Sequence, residues 1–495
     1  MHFKILNTLH LTNSSKITEY LRSLEKKEAF TTLHYSKNMK KEEANHYKNK
    51  ITYPKKNLFS EKYSQQSLRV LEKALSDVPF YWQWQRFDLG KDKDIDLRYT
   101  AMPILDKSDI REHRLQSFIP KDRDLDIGLL NNEISLVKTS GTTSETVTNV
   151  WNQDWWNASE KASWTLNSYT AEAANGDHRE AILTSSLNVG FLSDDVNLPI
   201  EKRRLSRFLF LNEKSTPILW SSKIMDRMIY ELELFKPVVL ETNPSYLAKL
   251  CRYIMSHDKS VFQPEIIVFT YEYPLNLHIK KIQKVFDAPL VSSYGSTEVG
   301  YVFMECEFGK FHQNSEFCRV DFQPFKSEHG GPDLGRILVT TLNNPWYYIV
   351  RFNVGDLVRI DQQANCSCGR ESGWILSAVE GRVNNITFTC NGRVVTLREL
   401  DNALSVLTDI DEYQLYQLEK DFYRLHFVSQ KQDKHELSAD AKKILQEIYG
   451  EEAKISIFYD KTISPEISGK YSVAQTVLPV NMENLLEQKT PYDET

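Results

Sequence analysis

The sequence predicts an α/β protein. It has a large N-terminal domain of mixed sheets flanked by helices, an antiparallel subdomain within that domain, and a small mobile C-terminal α+β domain. Three observations carry the prediction. Between 181 and 294, short apolar runs alternate with amphipathic stretches of about 10–15 residues, the pattern of a largely parallel sheet with crossover helices. From about 300 the runs are separated by Gly/Pro turns, as in Gly335-Arg336-Ile337-Leu338-Val339-Thr340-Thr341 and then Tyr347-Tyr348-Ile349-Val350-Arg351-Phe352, which predicts antiparallel strands. The last roughly 110 residues mix strands at 384–389, 413–418, 422–428 and 453–458 with a helix at 437–449.

Taken in order, residues 1–65 form a polar, lysine-rich extension, with Ile17, Tyr20, Leu21 and Leu24 at helical spacing and no chemistry to assign. Leu68, Val70, Leu71 and Leu75 predict a helix that stops at Val78-Pro79. Asp106 or Ser108 caps the next helix, which runs into Asp109-Ile110. Ser135-Leu136-Val137 reads as a short strand, 153–175 as a helix carrying Trp155, Trp156, Trp164 and Tyr169, and Ala181-Ile182-Leu183-Thr184 as a buried strand. Helices at 221–236, 245–256 and 275–286 alternate with strands at 237–242, 266–270 and 290–294. Three polar loops, 138–146, 270–274 and 293–298, leave strand ends, where open α/β sheets bind ligands. The large domain is bounded as 66–380, with 300–370 as its antiparallel part. A hinge at 381–385, where Gly381 gives freedom to turn, leads to the small domain at 386–495.

Composition excludes several classes. A hydrophobic fraction of 41% over 495 residues supplies real cores. With 61 basic against 67 acidic residues and a net charge of -6, nucleic acid and anionic membrane are not expected as partners. No apolar run reaches the ~20 residues of a membrane span. Met1-His2-Phe3-Lys4-Ile5-Leu6-Asn7 lacks the features of a secretory signal, so the expected location is the cytoplasm. Six cysteines do not form a disulfide scaffold in a chain of this length, but their placement suggests metal. Cys306, His312, Cys366 and Cys368 would offer three thiolates and one imidazole, a closed tetrahedral zinc set, although the Cys-x-Cys pair is tighter than the usual spacing. The alternative is reduced, metal-free thiols.

Five segments carry the remaining chemistry. Thr139, Ser140, Gly141, Thr142 and Thr143 place hydroxyls and backbone N–H groups together, which suits phosphate oxygens. The Gly-x4-Gly-Lys-Ser/Thr spacing of nucleotide triphosphatases is absent. Ser292-Ser293-Tyr294-Gly295-Ser296-Thr297-Glu298 combines a close-approach glycine, hydroxyls and a hard oxygen ligand for magnesium. Gly355-Asp356 fixes an acid that can accept both ribose hydroxyls. Gly381-Arg382 and Gly469-Lys470 complete the set. Each pair alone is also a common turn.

In their order along the chain, these segments resemble the adenylate-forming superfamily of acyl-CoA synthetases, peptide-synthetase adenylation domains and luciferases, and within it the phenylacetate-CoA ligase branch. The resemblance runs from about Val78 to Lys470. It includes Val78-Pro79-Phe80-Tyr81, Met102-Pro103 through Lys107 to Ile110, Thr139–Thr143, Asn243-Pro244-Ser245-Tyr246-Leu247, Glu272 with Pro274, Tyr294–Glu298, Gly355-Asp356, Gly381-Arg382 and Lys470. It implies an AMP-forming ligase that uses ATP and magnesium to convert a carboxylic acid, aryl or arylacetic, into an acyl-adenylate. Transfer to the CoA thiol then follows; the alternatives are transfer to an amine or a carrier protein, and a degenerate nucleotide-binding relative without turnover. The implied roles are Lys470 bridging carboxylate and α-phosphate, Glu298 on magnesium, 138–146 on the outer phosphates, Glu272 beside adenine, Asp356 on ribose and Arg382 at the hinge. Some members of the branch hold structural zinc at the positions of Cys306, His312, Cys366 and Cys368. Three places depart from the pattern: Ser144-Glu145 in the phosphate loop, Val383-Asn384-Asn385 after the hinge Gly-Arg, and Tyr271-Glu272-Tyr273-Pro274 in place of Gly-Glu-Pro.

Overall fold

The computed structural model describes residues 59–138, 147–190, 192–362, 366–466 and 469–487. The amphipathic stretch at 16–29 and the hydroxyl loop with Thr139, Ser140, Gly141, Thr142 and Thr143 lie outside the described residues, as do Ser144, Glu145, Ile467 and Ser468. Among the described residues no helix is long and apolar enough to cross a membrane.

Helix α1 (Glu61–Asp77) begins where the Ser60 side chain accepts from the Tyr63 N–H, and it ends at Val78 because Pro79 follows. A 3-10 segment (Pro79–Phe87) follows it. Asp106 caps α2 (Lys107–Glu112) through a reciprocal capping box with Asp109. Helix α3 (Gln153–Trp164) is shorter than the periodicity of its aromatics predicts. The Asn167 side chain accepts from the Tyr169 N–H at 2.7 Å and turns the chain away. The other crossover helices are α4 (Ser222–Phe235), α5 (Pro244–Ser256) and α6 (Asn276–Ile282).

Strands β1 (Ser135–Lys138) and β2 (Thr148–Trp151) pair antiparallel. The parallel set consists of β3 (Glu180–Leu183), β5 (Phe208–Phe210), β6 (Val239–Thr242), β7 (Ile266–Phe269) and β8 (Leu290–Ser296), with β4 (Arg204–Leu205) antiparallel at its edge. The antiparallel set is β9 (Gly300–Glu305), β10 (Phe311–Gln313), β11 (Cys318–Pro324), β12 (Leu334–Thr341), β13 (Phe352–Ile360) and β14 (Ile375–Arg382). These strands form one continuous sheet in the order β11-β12-β13-β14-β10-β9-β8-β7-β6-β3-β5-β4. β8 joins the two halves: Leu290–Ser292 pair with β7, and Ser293–Ser296 pair with β9.

The predicted strand at Tyr347–Phe352 is a correction. Only Phe352 belongs to a strand; the preceding residues run through the core without a ladder. Their polar backbone atoms are satisfied otherwise. The Tyr81 hydroxyl donates to the Tyr348 carbonyl at 2.9 Å and accepts from the Val350 N–H at 3.0 Å, while the Tyr348 N–H donates to the Phe118 carbonyl. An apolar run signals burial, and here side-chain partners substitute for a neighbouring strand.

The C-terminal part carries a short hairpin, β15 (Thr387–Phe388) with β16 (Val394–Val395), then α7 (Leu397–Leu404). A second sheet follows, built from β17 (Glu412–Glu419), β18 (Phe422–Val428), β19 (Lys454–Tyr459) and β20 (Ala474–Thr476), with α8 (His435–Tyr449) packed on it. Its order is β19-β18-β17-β20, with a central antiparallel hairpin and parallel outer strands. Leu275 and Leu277 of the large domain enter its hydrophobic core. Ion pairs Lys281–Asp411 (2.9 Å) and Arg252–Glu412 (2.8 Å) cross the same boundary.

Tyr81→Phe removes one hydroxyl that serves both a buried carbonyl and a buried N–H. It is expected to lower stability by about 1–3 kcal/mol. The readout is an earlier urea unfolding midpoint, and an unchanged midpoint would contradict this role for Tyr81.

Candidate active site

The partner exchange in β8 opens the site. Where β8 leaves β7, Ser293, Tyr294, Gly295 and Ser296 face a cleft rather than a parallel neighbour. Gly295 is required by the close approach of β9, since a Cβ there would lie 2.3 Å from the Gly300 carbonyl oxygen. Thr297 and Glu298 follow on the same wall. Opposite them, Asp356 of β13 pairs in register with Arg382 of β14. The Tyr294 hydroxyl donates to Asp356 Oδ2 at 2.8 Å, and Arg382 Nε lies 3.7 Å from Asp356 Oδ1. Burial and the neighbouring Asp356 carboxylate hold the Tyr294 hydroxyl well above its usual pKa.

Glu298 is buried, and its Oε1 lies 3.3 Å from Lys107 Nζ. Lys107 is the first residue of α2 and lines the same cavity. Composition and spacing assign it no role. The available signal is its position just after the Asp106 cap, which aims a lysine off a helix start. Glu272 sits at the N-terminus of α5, where it accepts the Ser245 N–H at 2.8 Å. Burial raises its pKa, opposed by the Ser245 hydrogen bonds. Tyr271 precedes it with φ of +71°, a left-handed conformation that favours the glycine of the resembled pattern. Tyr271 holds it while its hydroxyl donates to Glu241 Oε1.

Lys470 reaches the cavity from the small domain. Gly469, with φ of +78°, packs so closely that a Cβ would lie 2.6 Å from Ser185 Cβ. The Tyr246 hydroxyl donates to the Gly469 carbonyl at 3.2 Å, and the Glu466 N–H donates to the Lys470 carbonyl at 2.8 Å. The Lys470 ammonium is pushed down to about 8, chiefly by burial and then by Arg382, against the opposing pull of Asp356 and Glu272. Thus Lys470, Glu272, Glu298, Asp356, Arg382 and the 293–297 segment line one cavity of about 1210 Å³. The structure adds Lys107, Tyr271 and Glu241 to that wall.

The cysteine–histidine set also comes together. Cys306 follows β9, His312 lies on β10, and Cys366 and Cys368 lie in the β13–β14 connection, with all donor atoms within 4.8 Å of one another. Cys306 Sγ is 3.6 Å from Cys366 Sγ, and Cys368 Sγ is 3.2 Å from His312 Nε2. Hydrogen bonds from Cys306, Cys366 and His312 hold the Cys368 thiol far below its usual pKa. Cys251, Cys318 and Cys390 are buried elsewhere, as expected of packing residues.

No protein-family model and no curated protein matches the chain. Solved structures do. 2-Hydroxyisobutyryl-CoA ligase in the post-adenylation state with R3-HIB-AMP is 14% identical with a TM-score of 0.61, over 86% of this chain and 94% of that one. The same enzyme in an open conformation with 2-HIB-AMP and CoA is 15% identical with a TM-score of 0.51, over 88% and 95%. The chain therefore has the fold of the adenylate-forming ligases.

Proposed function

We propose that the protein activates a carboxylic acid with MgATP as an acyl-adenylate, releases pyrophosphate, and transfers the acyl group to the CoA thiol. The observation that carries this reading is the convergence of Lys470 with Asp356, Arg382, Glu272 and Glu298 in one cavity, although they come from distant segments. In the first step a carboxylate oxygen attacks the α-phosphorus and the bond to the β-phosphate breaks. Both reactants are anions, so the chain must neutralise and align them. Lys470 supplies a mobile point charge to carboxylate and α-phosphate. Asp356, already accepting from Tyr294, accepts the ribose hydroxyls, and the Glu272 segment borders the base. Glu298, which lies 3.3 Å from Lys107 Nζ, would hold the magnesium that travels with the nucleotide. The loop with Thr139–Thr143 takes the outer phosphates.

In the second step the CoA sulfur attacks the acyl carbonyl and AMP departs. The solved relative with CoA in its open conformation supports this acceptor. Turning about 381–385 withdraws Lys470 between the steps, with Gly381 at φ of +99° as the pivot. Trp156, Tyr271 and Tyr301 on the cavity wall support an aryl or arylacetic acid as the acyl group.

The Cys306, His312, Cys366 and Cys368 donors fit zinc by chemistry and by proximity. These four residues would hold it as a closed structural site with no position left for water.

A pyrophosphate-release screen across carboxylic acids, with and without CoA, tests the reaction; no release with any acid would sink it. Lys470→Ala is expected to abolish adenylation while ATP binding stays nearly intact, and adenylation at the parent rate would reject that role.

Raising pH removes the Lys470 proton and the charge that meets the anions. The kcat/KM for adenylation should therefore fall as pH rises through about 8. A profile flat to higher pH would show that the ammonium is not needed.

Elemental analysis of protein never exposed to chelator should find about one zinc per chain, lost in Cys368→Ser. Metal-free native protein would reject the zinc site.

A further inference from the structure

One end of the cavity carries an acid that the adenylation steps leave unused. Glu241 lies in β6, a strand buried on both faces between parallel neighbours β3 and β7. Such strands read as continuous apolar runs, and a carboxylate there is costly unless something meets it. Glu241 is only 3% exposed, yet it lines the cavity. It sits near the carboxyl end of its strand, where sheets of this kind bind their ligands. Its Oε1 accepts from the Tyr271 hydroxyl and from Thr270 Oγ1, which hold the carboxylate in place.

Aromatic rings form the rest of this end. Trp156 is stacked on Trp151 with centroids 3.9 Å apart and packs against Tyr301 at 5.2 Å. The Tyr301 hydroxyl donates to Glu160 Oε1 at 2.6 Å. Burial, then the Glu160 and Glu241 carboxylates, raise the Tyr301 hydroxyl well above its usual pKa, so the negative field of both acids is felt at this wall. Aromatic faces beside a fixed carboxylate attract a cation through ring quadrupole and charge together.

We infer that this end of the cavity binds a cationic amino group on the acid, so the substrate is an amino-substituted carboxylic acid. The inference rests on the adenylation reading. The substrate carboxylate goes toward Lys470 and its ammonium toward Glu241, so the two ends of the molecule are sorted by charge before ATP reacts.

The test is ATP–pyrophosphate exchange by the full-length protein on matched acids: 6-aminohexanoate against 6-hydroxyhexanoate and heptanoate, and 4-(aminomethyl)benzoate against 4-(hydroxymethyl)benzoate and 4-ethylbenzoate. In at least one set the amino member should exceed both neutral members in kcat/KM by about 10- to 100-fold. Glu241→Gln should erase that preference, bringing the ratio of amino to neutral members within each set close to one. Because the ratio within a set is read on the unaltered protein, it stands even if the variant fails to fold. Neutral members used as well as or better than amino members would overturn this inference and leave adenylation intact. Exchange with no acid would overturn both. An amino preference that survives Glu241→Gln would overturn the assignment to Glu241.

Discussion

The site depends on a single strand that changes partners partway along its length. β8 begins as the last strand of a parallel set and finishes as the first of an antiparallel set. Right-handed crossovers bring the parallel strands into line with their carboxyl ends on one side. The antiparallel hairpins then fold back across that side and carry Asp356 and Arg382 to face Tyr294. The cleft is the gap that this change of direction leaves. The approach of β9 to Gly295 is so close that any side chain there would collide with backbone, so the gap and the glycine require each other.

Charges are already arranged in opposed sets within the cleft. Lys107 faces Glu298, Arg382 faces Asp356, and Lys470 feels both Asp356 and Glu272. Burying isolated ions is unfavourable, and mutual pairing offsets that penalty. The small domain participates directly, because Gly469 closes against Ser185 and Tyr246 and thereby brings Lys470 into place.

Much of this was legible in the sequence, for physical reasons particular to each element. Buried parallel strands such as Ile266–Phe269 are compact apolar runs bounded by turns, and α5 begins with a proline that can only open a helix. The order of Glu298, Asp356 and Lys470 could be read because each sits beside a glycine or in a polar strand-end loop. Other features lay beyond reach. Tyr347–Val350 looks like a strand because burial and apolarity do not reveal that a tyrosine hydroxyl from another segment satisfies the backbone. The shortened α3 depended on an asparagine turn that the aromatic periodicity outweighed. Lys107 and Glu241 gained meaning only from what faces them, since a lysine after a helix cap and an acid in a strand are each unremarkable in one dimension. The chain distances from Lys107 to Glu298 and from Glu241 to Tyr301 exceed any local pattern.

The cysteine–histidine node also bears on how the chain folds. Cys306 and Cys366 are separated by 60 positions, and between them lie the hairpin strands that carry Asp356 to the cleft. A zinc ion held by the four donors would remove loop-closure entropy from the unfolded chain, worth about 4 kcal/mol for a firm link over this span. β11, β12 and β13 would then search for their register inside a tethered loop rather than on an open chain. The pairing that such a link would shorten is that of β10 with β14, where Phe311 lies opposite Leu376.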